Sequence, residues 1–317
     1  MKKVLLLGAL GMLGHKVWQR LASHSDVIAC IHGVLPEHLR EPGKLPKGRL
    51  LENIDLSRSK VVQSTFIETS PEIVINCAGV LTQPRSSKDV LSLLKINAEL
   101  PHQLAVLCAA SINKCKLIHI SSDGVFSGKA GNYSEQDQPD AVDYYGMSKI
   151  LGEVKEHGLN IRTSIIGFQI DQPKGLLEWL FTQKEKEITG YDGYTFSGMT
   201  TTALARIIDE LIKSDYKLDG TVHVGTKSIT KYELLKILNE AFSLDCQIER
   251  SAQASPTFCG KIDRSLNSST FYRESGLVQP TWQGMIDELT EEMPVYKSGE
   301  PVRYANGRKM PGGNSNA

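Results

Sequence analysis

The chain has 317 residues, with 36 Lys plus Arg against 36 Asp plus Glu and a formal net charge of zero. Its 40% hydrophobic and 23% charged residues are the composition of a soluble globular protein, long enough for one large domain or two moderate ones. No broad field draws it to nucleic acid or to an anionic membrane, so a phosphate-bearing ligand has to be held by local groups.

Apolar runs at 3–7, 27–31, 49–54, 73–76, 116–121 and 159–166 read as strands, and helical patterns fall between them at 12–23, 57–69, 88–111 and 144–157. Strands of this kind alternating with helices predict an α/β fold, a Rossmann-type doubly wound parallel sheet. After residue 167 the rhythm changes. Helices are expected at 176–184, 200–214, 230–242 and 283–292, the third opening on a Thr230 N-cap with Glu233 in capping-box position. Short strands are expected at 221–224 and 246–250, and the run TGYDGYTFSGMTT reads as irregular. The expected division is a dinucleotide-binding domain over 1–166, with return elements near 200–225. A smaller, discontinuous substrate domain follows over 167–199 and 226–293, with a flexible tail from 294 to 317.

The opening VLLLGALGMLG is too short and too glycine-rich to span a bilayer, and it lacks a signal cleavage pattern. The six cysteines have no CxxC spacing, so reduced thiols in a cytoplasmic protein are expected. Neither cysteines nor histidines cluster at ligand spacing, so no metal site is expected.

Gly8, Gly11 and Gly14 lie between the first strand and the first helix. There they permit a tight turn, close approach to a pyrophosphate and an exposed helix N-terminus, with Met12 and Leu13 in the same turn. The bland alternative is a turn chosen for packing alone. About 20 residues on, an acidic residue would bind the adenosine ribose of NAD. Here Ile31, His32 and Gly33 stand instead, and His32 could donate to a 2′-phosphate, which favours NADP(H) over NAD(H). Asp55, followed by Leu56, either meets the adenine edge or serves as a turn or cap carboxylate. Cys77, Ala78 and Gly79 end the fourth strand with small residues that let a cofactor lie close. Ser121, Ser122 and Asp123 end the fifth, at the carboxyl edge where open α/β sheets bind ligands. In YYGMSK, residues four apart share a helix face, so Lys149 pairs with Tyr145 and not with Tyr144; a nearby ammonium lowers a phenol pKa.

The ordered motifs GALGMLG, INCAG, SSDGVF, YYGMSK and IRTSIIG resemble those of the extended short-chain dehydrogenase/reductases. Within them the chain is most similar to the dTDP-4-dehydrorhamnose reductase group, over roughly residues 1 to 290. The resemblance implies a catalytic Ser122, Tyr145 and Lys149, with Tyr145 the proton donor and Lys149 also binding the nicotinamide ribose. It implies a reductase of a keto nucleotide sugar and leaves room for a homodimer. Asn97 would support the active-site strands or serve simply as a buried structural amide, and Arg162 would be structural or stand behind the catalytic residues. On the substrate side Asp123, Trp179 and Arg264 are candidates, with Tyr191, Tyr194 and Phe196 as further aromatics; a core role for each aromatic stays open. Gly124 stands where rhamnose reductases usually carry a tyrosine, which alters contact with the sugar. Two alternatives remain: an epimerase or dehydratase with tightly held NAD, and a non-catalytic regulatory subunit of the same fold.

Overall fold

The computed structural model describes residues 1–81, 86–171, 175–214 and 216–297, the side chains of 294–297 excepted. In chain order the first half comprises β1 (Lys3–Leu7), α1 (Gly14–Leu21), β2 (Asp26–Cys30), β3 (Arg49–Leu51), α2 (Ser59–Thr69) and β4 (Ile73–Asn76). It continues with α3 (Ser87–Leu93), α4 (Leu100–Ala109), β5 (Lys116–Ile120), α5 (Tyr144–Gly152) and β6 (Gly158–Arg162). The second half comprises β7 (Ile165–Ile166), α6 (Leu176–Phe181), β8 (Glu187–Tyr191), β9 (Tyr194–Phe196), β10 (Met199–Thr200), α7 (Thr201–Lys213) and β11 (Gly220–His223). Then come β12 (Ile229–Thr230), α8 (Lys231–Ala241), β13 (Gln247–Ser251), β14 (Ile262–Asp263), α9 (Ser269–Ser275) and α10 (Trp282–Lys297).

Seven strands form one sheet in the order β11-β6-β5-β4-β1-β2-β3, and each neighbouring pair is parallel. Strand β1 shows why. Its Val4 and Leu6 enter one core cluster together with residues of α1 and α7, while Leu5 and Leu7 enter a second cluster with residues of α2 and α4. A strand apolar on both faces is stable only between two helical layers. Each such leucine, fully buried, contributes roughly 1.5–3 kcal/mol. Chain order reverses between β1 and β4, opening a crevice at their carboxyl ends.

Several elements depart from expectation. The helix expected over 88–111 is interrupted by a π-helical turn, Leu94–Glu99, that lies between α3 and α4 and turns Asn97 fully inward. Helix α5 stops at Gly152, which abuts the Asn97 carbonyl, rather than at residue 157. The strand expected over 159–166 divides in two, because β7 leaves the main sheet to pair with β10. The stretch taken as irregular contains the end of β8 and all of β9, which pair with β13 and with β12 and β14 respectively; strands of three to five residues are too short to display a period. The capping box at Thr230 is present, and β11 returns to the main sheet beside β6. Helix α10 runs to Lys297, so residues 294–297 are helical where a tail was expected; residues 298–317 lie outside the described residues. No helix among the described residues is long and apolar enough to cross a membrane. All six cysteines are free, and Cys259 is exposed.

Candidate active site

The glycine-rich turn runs from β1 into α1. Gly8 has φ +76°, and a Cβ there would lie 2.8 Å from the Ala78 nitrogen, so the turn must pass against the end of β4 with no side chain between. Gly11 N–H closes the turn on the Gly8 carbonyl at 3.0 Å. Met12 is half-buried, and Leu13 is buried in the core as the residue preceding α1. The first turn of α1 carries no acidic residue. A bare backbone cradle ahead of an uncompensated helix N-terminus fits the pyrophosphate of a dinucleotide. Across the crevice, Cys77 and Ala78 are half-buried and Gly79 is exposed; burial pushes the Cys77 thiol up to about 12. His32 is exposed near Asp55, whose carboxylate accepts from the Ser57 amide at 3.0 Å and hydroxyl at 2.6 Å. Those bonds, with help from His32 and Arg58, hold Asp55 below the usual carboxylate range. Asp55 thus holds its own turn at the mouth of the crevice, while Leu56 is half-buried and packs on the second core cluster.

The fifth strand delivers Ser121, Ser122 and Asp123, all buried, to the same edge. The Ser122 hydroxyl accepts from the Gly124 amide at 3.0 Å and donates to Asp123 Oδ1 at 3.3 Å. Helix α5 is capped by Asp143, whose Oδ1 accepts from Gly146 N–H at 2.9 Å. It lays Tyr145 against this strand end: a Cβ on Gly124 would lie 3.1 Å from Ser122 Oγ and 3.1 Å from a ring carbon of Tyr145. Tyr144 points outward and is 57% exposed, whereas Lys149 is 4% exposed. The helix-face pairing of Tyr145 with Lys149 thus matches the backbone.

The electrostatics differ from expectation. Burial raises the Tyr145 pKa above the ordinary phenol value, a hydrogen bond with Ser122 opposes the rise, and the Asp123 and Asp143 carboxylates add to it. Lys149 was expected to pull it down. Its Nζ instead donates to the Ile120 carbonyl at 2.7 Å, and burial pushes the ammonium down to about 8 against the opposing pull of Glu153.

Two further buried residues tie elements together around the site. Asn97 Oδ1 accepts from Val80 N–H at 2.8 Å, and Nδ2 donates to the Val80 carbonyl at 2.9 Å and to Ser148 Oγ at 3.0 Å. It therefore joins the loop after β4 to α5. Arg162 is bound bidentately to Glu153, with both contacts at 2.7 Å, and packs over the Phe126 ring.

Beyond Asp123 lies a cluster that the sequence analysis only partly identified. Burial pushes Asp123 up to about 6, with Arg264 the leading opposing influence. The Arg264 guanidinium acts on Tyr194, and its buried Nε has no hydrogen-bond partner among the described residues. Lys231 sits 3.8 Å from the centroid of the same tyrosine ring, a cation–π contact. Lys231 was missed because nothing local distinguishes it from the first residue of an ordinary helix; only the fold carries it over Tyr194. A cavity of about 420 Å³ opens beside it, lined by Trp179, Tyr191, Tyr194, Phe196, Lys231 and Leu234 among others. Trp179 is 43% exposed at its edge, and Phe196 belongs chiefly to the core.

The family described as RmlD substrate binding domain matches residues 1–294. Methionine adenosyltransferase 2 subunit beta of Mus musculus is 24% identical over 90% of this chain and 89% of its own. A probable low-salt glycan biosynthesis reductase of Haloferax volcanii is 26% identical, over 92% of this chain and 98% of its own. The crystal structure of dTDP-4-dehydrorhamnose reductase from Bacillus anthracis in complex with NADP is alike in fold, with a TM-score of 0.73 at 21% identity, covering 92% of this chain and 99% of that one. The family match spans nearly the whole chain, and the glycine turn, serine strand and Tyr145–Lys149 helix meet at one sheet edge. The chain therefore belongs to the RmlD substrate binding domain family, and with it to the extended short-chain dehydrogenase/reductases, which are NAD(P)-dependent oxidoreductases.

Proposed function

We propose that the protein reduces the keto group of a nucleotide-linked sugar, most simply a 4-keto-6-deoxy sugar, and that it prefers NADPH to NADH. The observation that carries this reading is the convergence of buried Ser122 and Lys149 with half-buried Tyr145 beside a glycine turn whose backbone is bare. The reduced nicotinamide, when bound, supplies the hydride. Gly8, Gly11 and Gly14 with Met12 and Leu13 would hold its pyrophosphate, and Ala78 and Gly79 would line the crevice with Cys77. His32 would face the adenosine ribose, where no carboxylate repels a 2′-phosphate. Lys149 would bind the nicotinamide ribose.

Tyr145 donates the proton to the carbonyl oxygen, and its raised pKa keeps it in the protonated form that reduction requires. Ser122 hydrogen-bonds the same oxygen and stabilises the developing negative charge. Asp123, Trp179 and Arg264 orient the sugar nucleotide; Arg264 and Lys231 supply the positive charge that a diphosphate needs, and the aromatic cavity receives the apolar remainder. In this reading 167–199 and 226–293 are the substrate-binding part, and the protein acts in the cytoplasm.

A second reading has one specific support, the similarity to a protein named as the beta subunit of an adenosyltransferase. A non-catalytic subunit has no need of the assembled Ser122–Tyr145–Lys149 set, which favours the reductase. Oxidation of NADPH with dTDP-4-keto-6-deoxyglucose and related keto sugars tests the reading. NADPH binding without turnover of any of them would favour the subunit.

A further inference from the structure

Three consecutive residues at the end of β5 each hold a different residue of the tyrosine helix. The Ile120 carbonyl accepts from Lys149 Nζ at 2.7 Å, the Ser121 hydroxyl donates to Glu153 Oε1 at 2.7 Å, and Ser122 and the Tyr145 ring close over Gly124 together. Tyr145, Lys149 and Glu153 are spaced by four, so they follow one helix face, with Glu153 immediately after the last helical residue. Glu153 is also the anchor of Arg162 on β6, whose Nη1 reaches His223 Nε2 on β11 at 3.2 Å. The Glu153–Arg162 pair is nearly enclosed, with side-chain exposures of 11% and 6%.

We infer that Glu153 is a positioning residue, which locks the serine strand to the tyrosine–lysine helix and keeps the Lys149 ammonium charged and aimed at the dinucleotide ribose. The inference rests on the dinucleotide reading above. The groups that bear on Lys149 are Glu153 beyond its own helix, Cys77 at the end of β4 and His119 on β5. Burial holds His119 neutral and Cys77 protonated at working pH. Of these three, Glu153 is the carboxylate, and it is paired bidentately with the Arg162 guanidinium. The Arg162 guanidinium beside it offsets part of that charge but not its closer hold on the helix.

The test reads NADPH binding by fluorescence titration from about pH 6 to about pH 10, without any sugar substrate. The ammonium is present below about 8, so wild-type affinity is expected to fall as pH rises through that value. Glu153→Gln retains an acceptor for Ser121 but loses the charge; its fall is expected about one pH unit lower, and Glu153→Asp should restore the wild-type dependence. If Glu153→Gln does not fold, Ser121→Ala removes the strut and leaves every charge. It should then weaken NADPH several-fold at neutral pH without moving the midpoint, and wild-type affinity in that variant would overturn the inference. An unmoved pH dependence in folded Glu153→Gln overturns this inference alone. Wild-type protein that binds no NADPH at any pH overturns the dinucleotide reading and this inference with it.

Discussion

The neighbours Tyr145 and Tyr144 receive opposite environments from one helix. Tyr145 packs against Gly124 and Ser122, while Tyr144 faces solvent. Tyr145→Phe should lower turnover about 10²–10⁴-fold with NADPH affinity kept, the scale of a lost proton donor. Tyr144→Phe should stay within about twofold in the same steady-state assay, as for a surface change. Equal losses would contradict the helix-face assignment. Arg264→Ala should raise the KM for the sugar nucleotide about tenfold or more while changing kcat less, because a charge-assisted contact of about 1.5–3 kcal/mol is lost from binding. His32→Asp should weaken NADPH more than NADH in direct binding titrations. The Tyr145–Lys149 pairing was legible because helical spacing alone decides which side chains share a face. The direction of the tyrosine's pKa was not, since it depends on burial and on Asp123 and Asp143, which converge only in the folded chain.

At the scale of elements, the glycine turn and the π-helical turn do comparable work from opposite sides of the crevice. Gly8 lets β1 and β4 meet closely, and Asn97 fixes the loop after β4 to the helix that carries Tyr145. Asn97→Ala would leave the half-buried Val80 amide and carbonyl without this partner, at up to about 1–3 kcal/mol per stranded group, while Ser148 keeps its bond to the Tyr145 carbonyl. A lower melting temperature together with weaker NADPH binding is the expected result; a lower melting temperature with unchanged binding would limit Asn97 to a stabilising role. The six strands of the first half were readable from their apolar runs, and the capping box of α8 from its Thr230 and Glu233. The π turn was hidden, because its six residues continue the apolar rhythm of the flanking helices. The small strands β8, β9 and β14 were hidden too, because their partners lie far along the chain.

At the scale of the whole molecule, zero formal net charge leaves recognition of a diphosphate to a few side chains. Arg264 and Lys231 lie beside Tyr194 and, among the described residues, are cations whose charges act together with that of Asp123. The KM for the sugar nucleotide should accordingly vary only modestly between about 0.05 and 0.5 M salt, since partly buried charges are screened less than a surface field. A steep dependence would point instead to long-range steering that the composition does not provide. The seven-stranded parallel sheet was foreseeable from alternating strands and helices, and it brings all five motifs to one edge. Which sugar enters was not legible, because the cavity is assembled from segments far apart in sequence.

The most direct test of the central claim is NADPH oxidation, followed by near-ultraviolet absorbance, with a panel of dTDP-, UDP- and GDP-linked 4-keto sugars. Wild-type protein and Tyr145→Phe are run side by side. The account predicts turnover of at least one sugar by the wild type and its near disappearance in Tyr145→Phe. Equal turnover by the two proteins, or none by wild type that binds NADPH firmly, would contradict it.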